Sequence, residues 1–256
     1  MGHRAACCRL RVRKMNEEEK KISEDALAFA KRHKRARCRE LTDRAIYLPE
    51  RNPVSVFMAG SPGAGKTESA KEIIAQLEDA RSGTGRILRI DPDDLRSEFP
   101  GYNGSNSYLF QGATSSWVNH MQDLALENGQ SYVLDGTLSN LVRARSNVER
   151  SLGRKRQVTI LYVYQSPFRA WEFVQAREVG EGRRILPERF IDQYFAARDV
   201  VNALKQEFGP KITVDLLIKP NDETVKTVHQ GVDRIDTHVP ERFTREQLEA
   251  ALGVMR

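Results

Sequence analysis

The run Gly60-Ser61-Pro62-Gly63-Ala64-Gly65-Lys66-Thr67 is a complete P-loop, and its flanks constrain this chain more than any other stretch. Ahead of it, Val54-Ser55-Val56-Phe57-Met58-Ala59 is a short apolar, β-branched run that reads as a buried strand. Behind it, Glu68 to Leu77 carries apolar residues at helical spacing. Strand, glycine loop and helix are the context that gives this motif meaning. Glycines let backbone N–H groups converge on phosphate oxygens, and the helix N-terminus adds partial positive charge. All eight residues, Gly60 to Thr67, are therefore expected to line a nucleoside triphosphate site, with Lys66 reaching the β- and γ-phosphates and the Thr67 hydroxyl ligating Mg²⁺.

The net charge of +6 suggests nucleic acid until it is located. Residues 1–50 hold 14 Lys/Arg against 8 Asp/Glu, and the remainder holds 27 of each, so the body is neutral. Nucleic acid is not an expected partner of that body. Cys7, Cys8 and Cys38 show no CxxC spacing for zinc, and an odd count gives no disulfide framework. No apolar run approaches a membrane span, and residues 1–14 lack the apolar core of a secretory signal. A reducing cytoplasm is the expected compartment. Met15, before Asn16-Glu17-Glu18-Glu19, reads as a natural helix-opening start, with residues 1–14 a basic, disordered extension.

Residues 15–50 form an expected N-terminal helical segment, helical from Glu17 to Arg44. After Pro53 the pattern becomes α/β. Further strands are expected at Arg86–Ile90, Ser131–Leu134, Val158–Tyr164 and Ile212–Ile218. Helices are expected at Ala113–Asn128, Leu141–Leu152, Pro167–Val179, Pro187–Phe208 and Thr244–Leu252. Such alternation predicts a P-loop NTPase-type three-layer α/β/α fold with a mostly parallel five-stranded core sheet. Residues 51–220 make the core domain, and 221–256 are a C-terminal extension of it. Ligands of these sheets sit beyond the carboxyl ends of the strands. The P-loop, the acidic turn Asp91-Pro92-Asp93-Asp94 and Asp135 all fall there and should share one cleft.

Phosphoryl transfer needs a phosphate cradle, a metal, cations around the moving group and a residue that orients the attacking hydroxyl. Asp135, closing an apolar strand, joins Thr67 as the metal candidate; a turn or helix-cap aspartate is the plainer reading of Leu134-Asp135-Gly136-Thr137. For the base, geometry leaves Asp91, Asp93 and Asp94 open. The stretch Arg177 to Arg184, with glycines between arginines, suggests a lid whose cations close over the triphosphate, against the alternative of a solvated charged loop. No Asn-Lys-x-Asp guanine motif or Leu-Ser-Gly-Gly-Gln transporter signature is present.

In these four elements, in this order, the chain resembles the zeta toxin family of P-loop kinases from epsilon–zeta type toxin–antitoxin systems. The resemblance runs from about Pro53 to Ile218. It implies an ATP- and Mg²⁺-dependent kinase for the sugar 3′-hydroxyl of UDP-N-acetylglucosamine or a related UDP-sugar, acting as a toxin against cell-wall growth, with an antitoxin as partner. By position it makes Asp93 the catalytic base and Lys66 the P-loop lysine. Asp135 takes the place of the acid in the family's Glu-Gly-Thr element. Arg177 and Arg184 become the phosphate-gripping arginines, with Arg183 a substitute for Arg184. Where the family often has His-Pro after the base helix, this chain has Phe99-Pro100-Gly101-Tyr102, beside the expected acceptor pocket. A kinase for an antibiotic, nucleoside or dinucleotide is the second reading, and a nucleotide-dependent nucleic-acid module using the basic N-terminal helix is the third.

Overall fold

The computed structural model describes residues 15–81, 85–220 and 226–254. The expected extension at 1–14 lies outside them. Helix α1 (Glu17–Leu41) opens on a capping box: Asn16 accepts from Glu19 N at 2.8 Å, and the Glu19 carboxylate accepts from Asn16 N at 2.8 Å. It is part of the main core. Ala26, Ala30 and Cys38 are buried in it, and Trp117 Nε1 donates to Ala30 O at 3.0 Å. Burial pushes the Cys38 thiol up to about 12, which leaves it protonated and inert at neutral pH.

The chain then alternates as expected. Strand β1 (Val54–Ala59) feeds the P-loop and α2 (Lys66–Asp79); β2 (Leu88–Ile90) feeds the one-turn helix α3 (Pro92–Arg96). Helix α4 (Gln111–Glu127) leads to β3 (Tyr132–Leu134), then α5 (Leu141–Gly153) and β4 (Gln157–Tyr164). Helices α6 (Pro167–Glu181) and α7 (Pro187–Phe208) each start with proline at the first turn, where its missing N–H is no loss. Strand β5 (Thr213–Ile218), strand β6 (Thr227–His229) and helix α8 (Arg245–Ala251) complete the described chain.

The sheet order is β2-β3-β1-β4-β5-β6. The first five strands are parallel, as the sequence predicts; β6 pairs antiparallel with β5 and makes a sixth. The sequence gives no sign of β6, because three largely exposed edge residues carry no burial pattern. Alternate residues of β1 serve opposite faces. Phe57 and Ala59 pack with α4, α5 and α7, while Val56 and Met58 pack with Ile73, Ile74 and Leu77 of α2. Central β1 sits between β3 and β4, where successive connections run to opposite sides of the sheet. Its carboxyl end is the topological switch point at which such sheets bind ligands.

Candidate active site

The P-loop backbone has a shape only glycine allows. Gly60, Gly63 and Gly65 have φ of 134°, 73° and 77°. A Cβ would stand 2.3 Å from Val163 O at Gly60 and 2.1 Å from Ala170 O at Gly63, so the loop lies hard against β4 and α6. Ser61, Pro62 and Ala64 are buried. Lys66 opens α2 and folds back to donate to Ser61 O at 2.6 Å, which carries its ammonium over the loop. Burial lowers its pKa from 10.5 to about 8; Asp135 and Asp93 pull it upward, and Arg177 and Arg183 push it down. Four groups from distant parts of the chain thus act electrostatically on one ammonium.

The three aspartates left open by the sequence occupy different surroundings. Asp91 caps α3, its Oδ1 accepting from Asp93 N at 2.7 Å while its Oδ2 pairs with Arg89. Burial, with the Asp135 and Asp93 charges adding to it, pushes its pKa up to about 7. Asp94 is exposed and pairs with Arg89 Nη1 at 2.9 Å. Asp93 projects toward the cleft, one oxygen paired with Arg96 and the other 2.5 Å from Arg183 Nη1. Asp135 leaves β3 beside β2, its N–H donating to Ile90 O at 2.9 Å. Its carboxylate is almost wholly buried and accepts from Arg89 Nε and Nη2, each at 3.2 Å. The loop that follows closes on the P-loop, with Gly60 N donating to Thr137 O at 3.3 Å.

The arginine segment differs from the expected glycine-hinged loop. Helix α6 continues through Arg177 and Gly180 to Glu181 and stops only at Gly182, in the left-handed conformation common after helix ends. Arg177 therefore projects from the last turns of a helix. Arg183, in the connector, meets Asp93, whereas Arg184 is exposed and reaches Glu178 at 3.5 Å. Arg89 and Arg96 went unread as site residues. Their signals were slight: an arginine in a strand between buried Leu88 and Ile90, and one three residues after Asp93.

Thr67 and Asp135 offer hard oxygen donors beside the P-loop, the chemistry Mg²⁺ prefers when it also keeps water and phosphate ligands. Among the described residues no cluster of three or more His, Cys, Asp or Glu side chains is arranged to hold a metal by itself. No helix among them is long and apolar enough to cross a membrane.

A mostly parallel α/β/α sheet with a P-loop at its switch point and a carboxylate–arginine cluster at the ends of neighbouring strands defines a P-loop protein of the kinase type. The zeta toxin family model matches residues 37–233, and the chain belongs to the zeta toxin family. Among solved structures, the chain is similar to the PezAT chromosomal toxin–antitoxin system of Streptococcus pneumoniae, at 14% identity and TM-score 0.56, covering 94% of each chain. It is also similar to a structure of AvrRxo1-ORF1:AvrRxo1-ORF2 with sulphate ions, at 17% identity and TM-score 0.56, covering 87% of this chain and 72% of that one. A structure of AvrRxo1-ORF1:-ORF2 with ATP matches at 17% identity and TM-score 0.54, with coverages of 82% and 66%. At these identities the likeness speaks to fold. No curated protein matches the sequence.

Proposed function

We propose that the protein is an ATP-dependent kinase that phosphorylates the sugar 3′-hydroxyl of UDP-N-acetylglucosamine or a related UDP-sugar in the cytoplasm, as a toxin against cell-wall synthesis. One observation carries the reading: Arg183 pairs with Asp93 at 2.5 Å, and both, with Asp135 and Arg177, act electrostatically on the buried Lys66 ammonium of the P-loop. ATP in the related AvrRxo1 complex supports ATP as donor. The toxin–antitoxin neighbour supports an antitoxin as partner.

In this mechanism the P-loop N–H groups and Lys66 hold the β- and γ-phosphates. Thr67 and Asp135 would hold Mg²⁺, which when bound neutralises charge on the phosphate oxygens. Asp93 accepts the proton of the acceptor hydroxyl as its oxygen attacks the γ-phosphorus and the bond to the leaving ADP oxygen breaks. Each Asp93 oxygen accepts from one arginine and keeps a second lone pair that can take the hydroxyl proton. Once Asp93 has taken that proton its hold on Arg183 weakens, and Arg183 can turn its charge to the transferred phosphoryl.

A second acceptor class is favoured by one feature. Phe99, standing near the family's usual His-Pro, is buried in the core among Phe29, Phe110 and Trp117, with ring centroids 4.8 to 6.2 Å away, and so supplies no polar contact at that position. An antibiotic, a nucleoside or a dinucleotide would then be the acceptor. Incubation with ATP, Mg²⁺ and a panel of acceptors, followed by mass spectrometry, separates the readings. A UDP-sugar gaining one phosphate is the expected result. Phosphorylation of another panel member with every UDP-sugar unchanged overturns the first choice.

A further inference from the structure

Arg89 lies outside the roles that phosphoryl transfer calls for, yet it is the hub of the acidic side of the cleft. Its three nitrogens engage three carboxylates: Nη1 meets Asp94 at 2.9 Å, Nη2 pairs with Asp91, and Nε and Nη2 reach Asp135 at 3.2 Å. The Asp91 and Asp135 side chains are only 7% and 3% exposed, so their mutual repulsion is poorly screened by water. Strand pairing alone leaves them close. Ile90 lies opposite Leu134, so Asp91 and Asp135 leave neighbouring parallel strands at the same level. The Arg89 guanidinium pairs with both. Asp91 passes the constraint on, because its other oxygen accepts from Asp93 N at 2.7 Å. The result is a continuous chain from Asp135 through Arg89 and Asp91 to the backbone of Asp93.

From this geometry we infer that Arg89 is a positioning residue for the reaction, fixing the separation between the Asp135 carboxylate and the Asp93 base. The inference rests on the kinase reading above. A planar guanidinium is required. Its fork donates along several fixed directions at once, whereas a lysine ammonium is a point charge on a flexible stem. Arg89→Lys therefore keeps the charge and loses the geometry.

Two measurements on the full-length protein test this. Amide exchange followed by NMR reads the Asp93 N–H directly and needs no acceptor. In Arg89→Lys it should exchange about tenfold faster, while amides of β1 and β4 keep their protection. With ATP and UDP-N-acetylglucosamine, kcat should fall at least tenfold while KM for ATP stays within about twofold, the signature of a lost transition-state arrangement. Asp91→Asn keeps a carbonyl for Asp93 N but gives up the charge that Arg89 holds. It should shift both readouts in the same direction, and it replaces Arg89→Lys should that variant fail to fold. Wild-type protection at Asp93 overturns the inference, whatever happens to kcat. Accelerated exchange with kcat unchanged also overturns it, since the separation would not matter to transfer. If the wild type phosphorylates no UDP-sugar, the acceptor reading fails and amide exchange decides the Arg89 coupling by itself.

Discussion

In the proposed mechanism Lys66 carries the pH behaviour of nucleotide binding. Burial brings its pKa down from 10.5 to about 8, against the pull of Asp135 and Asp93. In the unfolded chain a lysine titrates near about 10.4. A lysine depressed on folding penalises the folded state while it is charged. That penalty is full below pH 8 and is relieved as pH climbs from about 8 toward about 10.4. A bound triphosphate reverses the balance by placing negative charge beside the ammonium, so binding near about pH 9 should draw a proton onto Lys66. Calorimetric titration with an ATP analogue, in two buffers of different ionisation enthalpy, should reveal uptake of up to about one proton. Lys66→Met should lose that uptake. Buffer-independent enthalpies in the wild type would mean that Lys66 is already charged throughout.

At the level of elements, the connector between α6 and α7 brings Arg183 rather than Arg184 to Asp93. Arg183 stands 2.5 Å from Asp93, while Arg184 faces solvent beside Glu178. Arg183→Ala should depress phosphoryl transfer by about a hundredfold and Arg184→Ala by less than tenfold, measured with whichever acceptor the wild type modifies. The opposite order would show that the connector rearranges when nucleotide binds. Adjacent arginines are indistinguishable by composition, and the start of the loop settles which one faces inward. The glycines between the arginines read as a lid in sequence, yet the helix passes through Gly180 and ends at Gly182. Helix continuation there is a cooperative backbone matter that one glycine weakens by only about 1 kcal/mol. The elements legible in the sequence were those with strong local signals: the P-loop flanks, the proline-started helices α6 and α7, and the buried strand β4. Strand β6 and the Arg89 hub were not, since one is an exposed three-residue edge and the other is completed only by Asp135, 46 positions from Arg89.

For the molecule as a whole, the proposed mechanism puts binding and chemistry on different strands of one sheet. The P-loop follows β1 and the Asp93 turn follows β2, with β3 and Asp135 between them in the sheet. This separation makes the two functions experimentally divisible. A ligand that binds only the folded state at about 100 times its Kd adds about 2.7 kcal/mol of stability. For a chain of this size that raises Tm by about 5–10 °C. Lys66→Ala removes the cation over the cradle and should abolish most of this shift. Asp93→Ala leaves the cradle intact and should keep it, while transfer falls by several orders of magnitude. Because Asp93 also pairs with Arg183, the Asp93→Ala protein should gain nucleotide affinity slightly, its freed arginine having only phosphate to meet. Thermal melts of wild type and both variants, with and without ATP, measure this against the transfer assay. Equal loss of the shift in both variants would place Asp93 in the nucleotide pocket and remove it as the base.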